Sequence, residues 1–182
     1  MSDIKLLGIS GALRAASTNR KLIRDAARLF GPCDYTEADL KMSLYDGDEE
    51  AVSGVPEAAQ LLARQIAEAD AVLIATPEYN KGPSGALKNA LDWVSRCDHR
   101  PWLDKPVAVM SSAAGISGGV RAQVLLRTYL LPFSARIIAA PEVHVGNCES
   151  QFDSNDQLTN ESATKALTTL MKNLNREIEL LR

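Results

Sequence analysis

The stretch AVLIATPEYNKGPSGALKNALDWV, residues 71–94, indicates the fold class of this 182-residue chain. It begins with five apolar residues, 71–75, which are typical of a parallel strand that is buried on both faces of a sheet. A loop with two prolines follows, and the residues after it predict a helix over 84–96. A buried strand, a loop and a helix in this order predict one βα unit of an α/β protein.

The same alternation extends in both directions from this stretch. The other predicted strands cover residues 4–9, 33–37, 107–111 and 136–140. The other predicted helices cover residues 18–30, 56–69, 120–131 and the segment after 160, whose apolar face consists of Leu167, Leu170, Leu174, Ile178 and Leu181. Residues 39–54 are polar and predict a loop. The pattern therefore predicts an α/β fold, with an open five-stranded parallel sheet, helices on both faces and a single domain over residues 1–182.

Composition and charge exclude several functions. The net charge is −3 and the basic residues are scattered, which argues against a nucleic-acid partner. No apolar stretch reaches the roughly 20 residues that a membrane span needs, and the N-terminus lacks a signal-peptide pattern. We therefore expect a cytoplasmic protein without membrane insertion. The three cysteines are far from one another in the chain, and so are the two histidines, so we expect no disulfide framework and no metal site.

The first of three small-residue loops is GISGALRAASTN at residues 8–19. It leads from a strand into the start of a helix, where free N–H groups and the helix dipole favour an anion. Its hydroxyl groups and Arg14 suit a phosphate monoester. The alternative is a tight βα turn in which Ser17 or Asn19 caps the helix. GxxxxGK[ST] and GxGxxG are absent, which argues against a P-loop NTPase and a Rossmann dinucleotide site.

The second and third loops follow the third and fourth predicted strands, at the edge where doubly wound sheets bind ligands. The second, TPEYNKGPSG at residues 76–85, is stiffened by two prolines and can hold backbone amides against a polar ring edge. Its alternative is a proline-defined turn in which Ser84 caps the next helix. The third, SSAAGISGG at residues 111–119, lets a planar ligand approach the main chain. The alternative is a simple flexible loop.

Together these loops resemble the signatures of the NAD(P)H-dependent FMN reductases, the group that includes bacterial chromate and quinone reductases. The first loop is similar to the family pattern GxSGSLRxxSxN. The segments TPEYNKGPSGALKNALDW and SSAAGISGGVRAQVLLR resemble the second and third signatures, so the resemblance covers about residues 4–142. Ala12 and Thr18 depart from it, since the family often has a second serine and an aromatic residue there.

The resemblance implies a flavodoxin-like fold, an FMN cofactor, and NADPH or NADH as co-substrate. The residues that it assigns to the FMN phosphate are Ser10, Arg14, Ser17, Thr18 and Asn19. Those that it places beside the isoalloxazine ring are Pro77, Glu78, Tyr79 and Asn80. Ser111 and Gly115 are expected at the other ring edge or the ribityl chain.

For the reaction, we expect ping-pong exchange with a small-molecule electron acceptor: a quinone, a flavin, chromate or an azo compound. No catalytic side chain is expected, because the flavin carries the chemistry. One alternative is a non-enzymatic, flavodoxin-like electron carrier. Such a carrier usually has a strongly acidic docking face, and a net charge of −3 is small for that. Another is a module that binds some other phosphate-bearing ligand.

Two predicted helices suggest a homo-oligomer, and the resemblance implies a homodimer or homotetramer. In the helix over 84–96, one apolar stripe consists of Ala86, Ala90 and Trp93, and a neighbouring one of Leu87, Leu91 and Val94. In the helix over 120–131, Val120, Val124 and Leu131 point one way and Leu126 and Leu130 point nearly opposite. Helices that are apolar on two sides need cover on both, and a second copy supplies it. The alternative is that the loop over 39–54 covers these helices within one chain, but we expect this loop to be too polar to do so.

Overall fold

The computed structural model describes residues 4–182 and shows an α/β protein. All strand pairs are parallel, the sheet order is β2–β1–β3–β4–β5, and β6 also pairs with β4. The strands are β1 Lys5–Ser10, β2 Asp34–Glu37, β3 Ala71–Thr76, β4 Pro106–Ser112, β5 Arg136–Ile137 and β6 Val143–Val145. The helices are α1 Thr18–Phe30, α2 Gly47–Ser53, α3 Glu57–Glu68, α4 Gly85–Val94, α5 Val120–Leu130 and α6 Glu161–Leu181. This order is that of flavodoxin-like doubly wound sheets, so the predicted fold class is confirmed.

Helices cover both faces of the sheet. α1 and α6 pack on one face, and α3, α4 and α5 pack on the other. β3 is buried along its whole length, which explains why its sequence is an uninterrupted apolar run. Within the residues that the structure describes, no helix has the length and apolar character needed to cross a membrane.

The predicted strand over residues 136–140 is wrong in its extent. The chain forms β5 and β6 instead, and both pair with β4, so the sheet has six strands rather than five. Pro141 lies between them and has no N–H for a strand ladder. Side chains of α5 bond to carbonyl groups there: Arg127 donates to the carbonyl of Ile138 at 3.1 Å, and Gln123 donates to that of Val143 at 2.6 Å. An apolar run by itself did not reveal this break.

The prediction of a plain loop over residues 39–54 is also wrong, because this segment contains α2. Asp46 begins the helix, since its side chain accepts from the N–H of Asp48, and Gly54 ends it. None of the residues of α2 is buried. Hydrophobic periodicity is the main signal for a helix, and a helix without a buried face does not carry that signal.

The polar segment before α2 covers α4, contrary to expectation. Trp93 is only 1% exposed, and its indole N–H donates to the carbonyl of Ser43 at 2.8 Å. The side-chain amide of Asn89 donates to the same carbonyl, and Tyr45 packs edge-on against Trp93 with ring centroids 5.0 Å apart. A backbone carbonyl and an aromatic ring of this segment therefore help to cover α4, although we expected the segment to be too polar for this.

The last helix follows its predicted face over most of its length. Leu167, Leu170, Leu174 and Ile178 are buried against the sheet. Leu181 was predicted to continue this face, but it is 45% exposed. It is the last residue of α6, where the buried face of the helix has already ended.

Candidate functional site

Three loops meet at the carboxyl edge of the sheet. The first loop, residues 8–19, begins at the end of β1; the second, residues 76–85, begins at the end of β3; and the third, residues 111–119, begins at the end of β4. β3 lies between β1 and β4 in the sheet, so the three loops are neighbours. The chain passes from β1 to β2 on one side and to β3 on the other, which makes this edge the topological switch point.

The first loop leaves backbone N–H groups free at the start of α1. Ser17 caps the helix, because its hydroxyl accepts from the N–H of Asn19 at 3.2 Å, and Ser10 accepts from the N–H of Ala12 at 3.3 Å. Arg14 is exposed. Among residues 4–182, the N–H groups of Arg14, Ala15, Ala16 and Thr18 make no hydrogen bond. Free donors at a helix start are typical of a phosphate site.

Asn19 joins the first loop to the third. Its side-chain nitrogen donates to the carbonyl of Ser112 at 2.8 Å, and its side-chain oxygen accepts from the N–H of Ser112 at 3.0 Å. Asn19 is 2% exposed. Both ends of its amide are therefore engaged in fastening α1 to the end of β4, beside the free amides of the first loop.

The second loop ends in a tight hairpin turn. Tyr79 and Gly82 exchange two backbone hydrogen bonds, of 2.9 and 3.1 Å. Asn80 and Lys81 between them have φ angles of +50° and +69°, as in the turns that favour asparagine. Tyr79 is 58% exposed, whereas Pro77 is buried against the first loop near Gly11. The predicted ring-flanking residues thus form a stiff rim at the site.

Glu78 fastens the second loop to α5. Its carboxylate accepts from the N–H groups of Arg121 at 3.1 Å and Ala122 at 3.4 Å. The residue before α5, Gly119, has no side chain to cap the helix, so Glu78 supplies the cap from a distance of 43 residues. A carboxylate at a helix start is also favoured by the helix dipole.

The third loop contains one predicted residue whose side chain faces away from the first loop. Ser111 is fully buried on the α5 side of β4, where its hydroxyl donates to the carbonyl of Gly118 at 2.6 Å. Ser112 lies on the α1 side, and its buried hydroxyl has no partner in the described part of the chain. Successive side chains of a strand point to opposite faces of the sheet. The alternation along β4 could therefore have shown from the sequence that Ser112, and not Ser111, lies on the α1 side.

Gly115 lies at the open end of the third loop. A Cβ atom added there meets nothing within 4 Å, so packing within the chain does not require glycine. Gly118 and Gly119 differ, since their φ angles are +62° and +92° and a Cβ at either meets atoms at 2.8 Å. The open space at Gly115 leaves the main chain accessible to a flat ligand.

These residues fit a ligand that carries a phosphate and a flat ring. The first loop offers free N–H donors at a helix start, and Ser112 offers an unpartnered hydroxyl at the same edge. The second loop presents a stiff rim, and Gly115 leaves open space. A doubly wound sheet with such a site at its switch point is typical of the flavodoxin-like, flavin-binding class of proteins.

Comparison with known families agrees with this class. The family model for NADPH-dependent FMN reductase matches residues 4–150. The chain therefore belongs to the NADPH-dependent FMN reductase family. It is 38% identical over 182 residues to an NAD(P)H-dependent FMN reductase of Pseudomonas aeruginosa, which covers 99% of this chain and 98% of that relative. It is 35% identical over 153 residues to a quinone reductase of Escherichia coli, covering 82% and 81% of the two chains.

A solved structure is similar over almost the whole chain. It is the flavoenzyme NAD(P)H:(acceptor) oxidoreductase from Paracoccus denitrificans, with a TM-score of 0.86 and 28% sequence identity. The match covers 97% of this chain and 98% of that one. The expected FMN cofactor, NAD(P)H dependence and oxidoreductase activity are confirmed, and an enzyme is favoured over an electron carrier.

Proposed function

We propose that this FMN-dependent enzyme passes electrons from NAD(P)H to a small-molecule acceptor, and that the acceptor is a quinone. The free N–H groups of the first loop are the main support for the proposal, because they suit the phosphate of FMN at the switch point. The chain has no GxGxxG fingerprint for a separate nicotinamide dinucleotide site. The choice of a quinone is supported by the relative in Escherichia coli that is named a quinone reductase. Flavin, chromate and azo acceptors are the alternatives, and a cytoplasmic location stays a prediction.

The proposed roles of the residues follow from their positions. Ser10, Arg14, Ser17 and Thr18 hold the FMN phosphate together with the free amides, and Asn19 keeps that loop beside β4. The second loop flanks the isoalloxazine ring through Pro77, Glu78, Tyr79 and Asn80. Gly115 admits the other ring edge or the ribityl chain, while Ser111 supports the third loop from behind and Ser112 offers it a hydroxyl. When bound, FMN supplies the hydride-transfer chemistry.

The decisive experiment is the visible spectrum of the purified protein before and after FMN is added. We expect a flavin spectrum that NADPH or NADH bleaches without oxygen, and that a quinone restores. A protein that binds no FMN contradicts the proposal. A protein that binds FMN but is not reduced by either nicotinamide is a carrier. With a quinone, initial rates should give parallel double-reciprocal lines, because both substrates use one site in turn; intersecting lines contradict the shared site.

We also propose that the enzyme is a homodimer or homotetramer that buries the outer face of α5. Val124 is 54% exposed on this face and Leu131, directly after the helix, is 69% exposed, whereas Leu126 and Leu130 on the inner face are fully buried. A helix that is apolar on both sides is stabilised when a second copy covers the outer side. The case now rests on α5, since α4 is covered within the chain.

Sedimentation at low micromolar concentration tests this assembly. We expect a multiple of the 19.7 kDa chain mass, and a single-chain mass for Val124→Asp, because the new charge lies in the interface. Val52→Asp is the matched control, since Val52 is 87% exposed on α2, away from the proposed face. A wild-type mass of 19.7 kDa would show that the protein is a monomer.

A further inference from the structure

The hydroxyl of Ser84 connects the second loop to the first. It accepts from the N–H of Leu87 at 3.2 Å, which caps α4, and it donates to the carbonyl of Gly11 in the first loop. Ser84 is only 3% exposed, and Gly11 is buried as well. None of the proposed contacts with FMN involves the side chain of Ser84. One buried hydroxyl group therefore both caps a helix and joins two loops of the site.

Gly11 is bonded to the second loop through both of its main-chain groups. Its N–H donates at 2.8 Å to the carbonyl of Ala75, directly before that loop, and its carbonyl accepts from Ser84. Among residues 4–182, no other group donates to this carbonyl. A Cβ atom added at Gly11 would lie 3.2 Å from Cδ of Pro77, so the two loops also pack closely here. The first loop is thus held by both ends of the second.

These bonds fix one peptide unit of the first loop. The carbonyl of this unit belongs to Gly11 and accepts from Ser84, and its N–H belongs to Ala12 and donates to the hydroxyl of Ser10 at 3.3 Å. A peptide unit is planar, so hydrogen bonds on its two sides determine how it is rotated. Arg14, whose N–H group is free, follows two residues later. The direction of the free donors therefore depends on the bond from Ser84.

We propose that Ser84 is a positioning residue for the FMN phosphate, because its bond to Gly11 keeps the free amides of the first loop in the arrangement that receives the anion. Donors that are already in place bind without the entropic cost of ordering them. Without the hydroxyl, the buried carbonyl of Gly11 loses its partner, and the peptide unit turns to find another. The phosphate then has to order the loop itself, and its affinity falls. This inference rests on the proposed contact between the first loop and the phosphate.

Two variants separate this role from the capping of α4. Ser84→Ala and Ser84→Gly both remove the hydroxyl that donates to Gly11. Glycine is a better N-cap than alanine, so Ser84→Ala should be the less stable of the two in chemical denaturation. If Ser84 acts on FMN through the helix cap, the two variants should bind FMN differently. If it positions the first loop, both should lose the same preference for the phosphate.

The measurement is the ratio of the dissociation constants of riboflavin and FMN, from fluorescence titrations. Riboflavin has the same ring and ribityl chain but no phosphate, so this ratio isolates the phosphate site. We expect the wild type to bind FMN about ten-fold or more tightly than riboflavin, because charge-assisted bonds to the phosphate are added. In both Ser84 variants the ratio should fall by about three- to ten-fold, which corresponds to one hydrogen bond.

Asn160→Gly is the matched control, because it replaces the side chain that caps α6. It should keep the wild-type ratio. A wild-type ratio in the two Ser84 variants would overturn the proposal, even if both flavins bind more weakly, because such a loss does not involve the phosphate. A wild type that binds riboflavin as tightly as FMN would show that the first loop is no phosphate site, and the proposal for Ser84 would fail together with that part of the proposed function.

A second measurement needs no flavin. In NMR spectra of the flavin-free protein, the amide signals of Arg14, Ala15 and Ala16 should shift or broaden in both Ser84 variants, whereas Asn160→Gly should leave them as in the wild type. If the wild type prefers FMN and these amides do not respond to the loss of the hydroxyl, the positioning role fails while the proposed function stands.

Discussion

The first and third loops are alike in sequence but are held in different ways. Both are short, rich in small residues and located at the same edge of the sheet. The first is held in part by its own residues, since the hydroxyls of Ser10 and Ser17 accept from N–H groups two positions ahead, and in part by Ser84, whose hydroxyl donates to the carbonyl of Gly11. The third is held from a distance by Asn19, by Glu78 through the start of α5, and by Gln123, whose side chain donates to the hydroxyl of Ser111. Locally held loops can be interpreted from sequence, whereas distantly held loops require the fold.

The largest effect on stability is expected from Asn19→Ala, which removes the side chain that joins the first loop to the third. The buried N–H and C=O of Ser112 would lose their partners, at a cost of about 2–4 kcal/mol in the free energy of unfolding. Chemical denaturation measures this cost. Asn175→Ala is the matched control, because among residues 4–182 the side chain of Asn175 bonds only to Glu179 on the surface of α6. A loss below about 1 kcal/mol would show that the two loops are held independently.

The next largest effect is expected from Gly146→Ala, which acts on the third loop alone. The added Cβ would lie 2.8 Å from the carbonyl carbon of Ile116, so the loop must shift. We expect a loss of about 1–3 kcal/mol in thermal or chemical unfolding. Gly115→Ala, in the same loop, meets nothing within 4 Å and should change stability by less than about 0.5 kcal/mol. Equal stability of the two variants would contradict the tight packing of this loop.

The smallest effect on the fold is expected from Arg14→Ala, which acts on the first loop. Arg14 is exposed, so the stability should stay unchanged, but the affinity for FMN should fall about ten-fold or more because a charge-assisted bond is lost. Fluorescence titration with FMN measures this. Arg100→Ala, an exposed arginine beyond the C-terminal end of α4, should bind FMN like the wild type. Unchanged affinity of Arg14→Ala would remove Arg14 from the site.

Much of the fold could be predicted because it depends on local patterns. The apolar run of β3, the boundaries of α1 and the serine caps of α1 and α4 follow from residues that are close in the chain. The misassigned regions lacked such a pattern. α2 has no buried face, and the break between β5 and β6 is stabilised by Gln123 and Arg127 from another helix.

The sequence by itself determined the class of the protein, the three loops and their common edge, because strand order and loop composition are repeated features of flavodoxin-like proteins. Only the tertiary structure decided what individual side chains do. It turned Ser111 away from the first loop and gave the hydroxyl of Ser112 no partner among residues 4–182. It also made Asn19 and Glu78 the side chains that join the loops to neighbouring elements. It also placed His144 behind the third loop. The physical reason is that a side chain's partners lie many residues away, and packing alone brings them within hydrogen-bond distance.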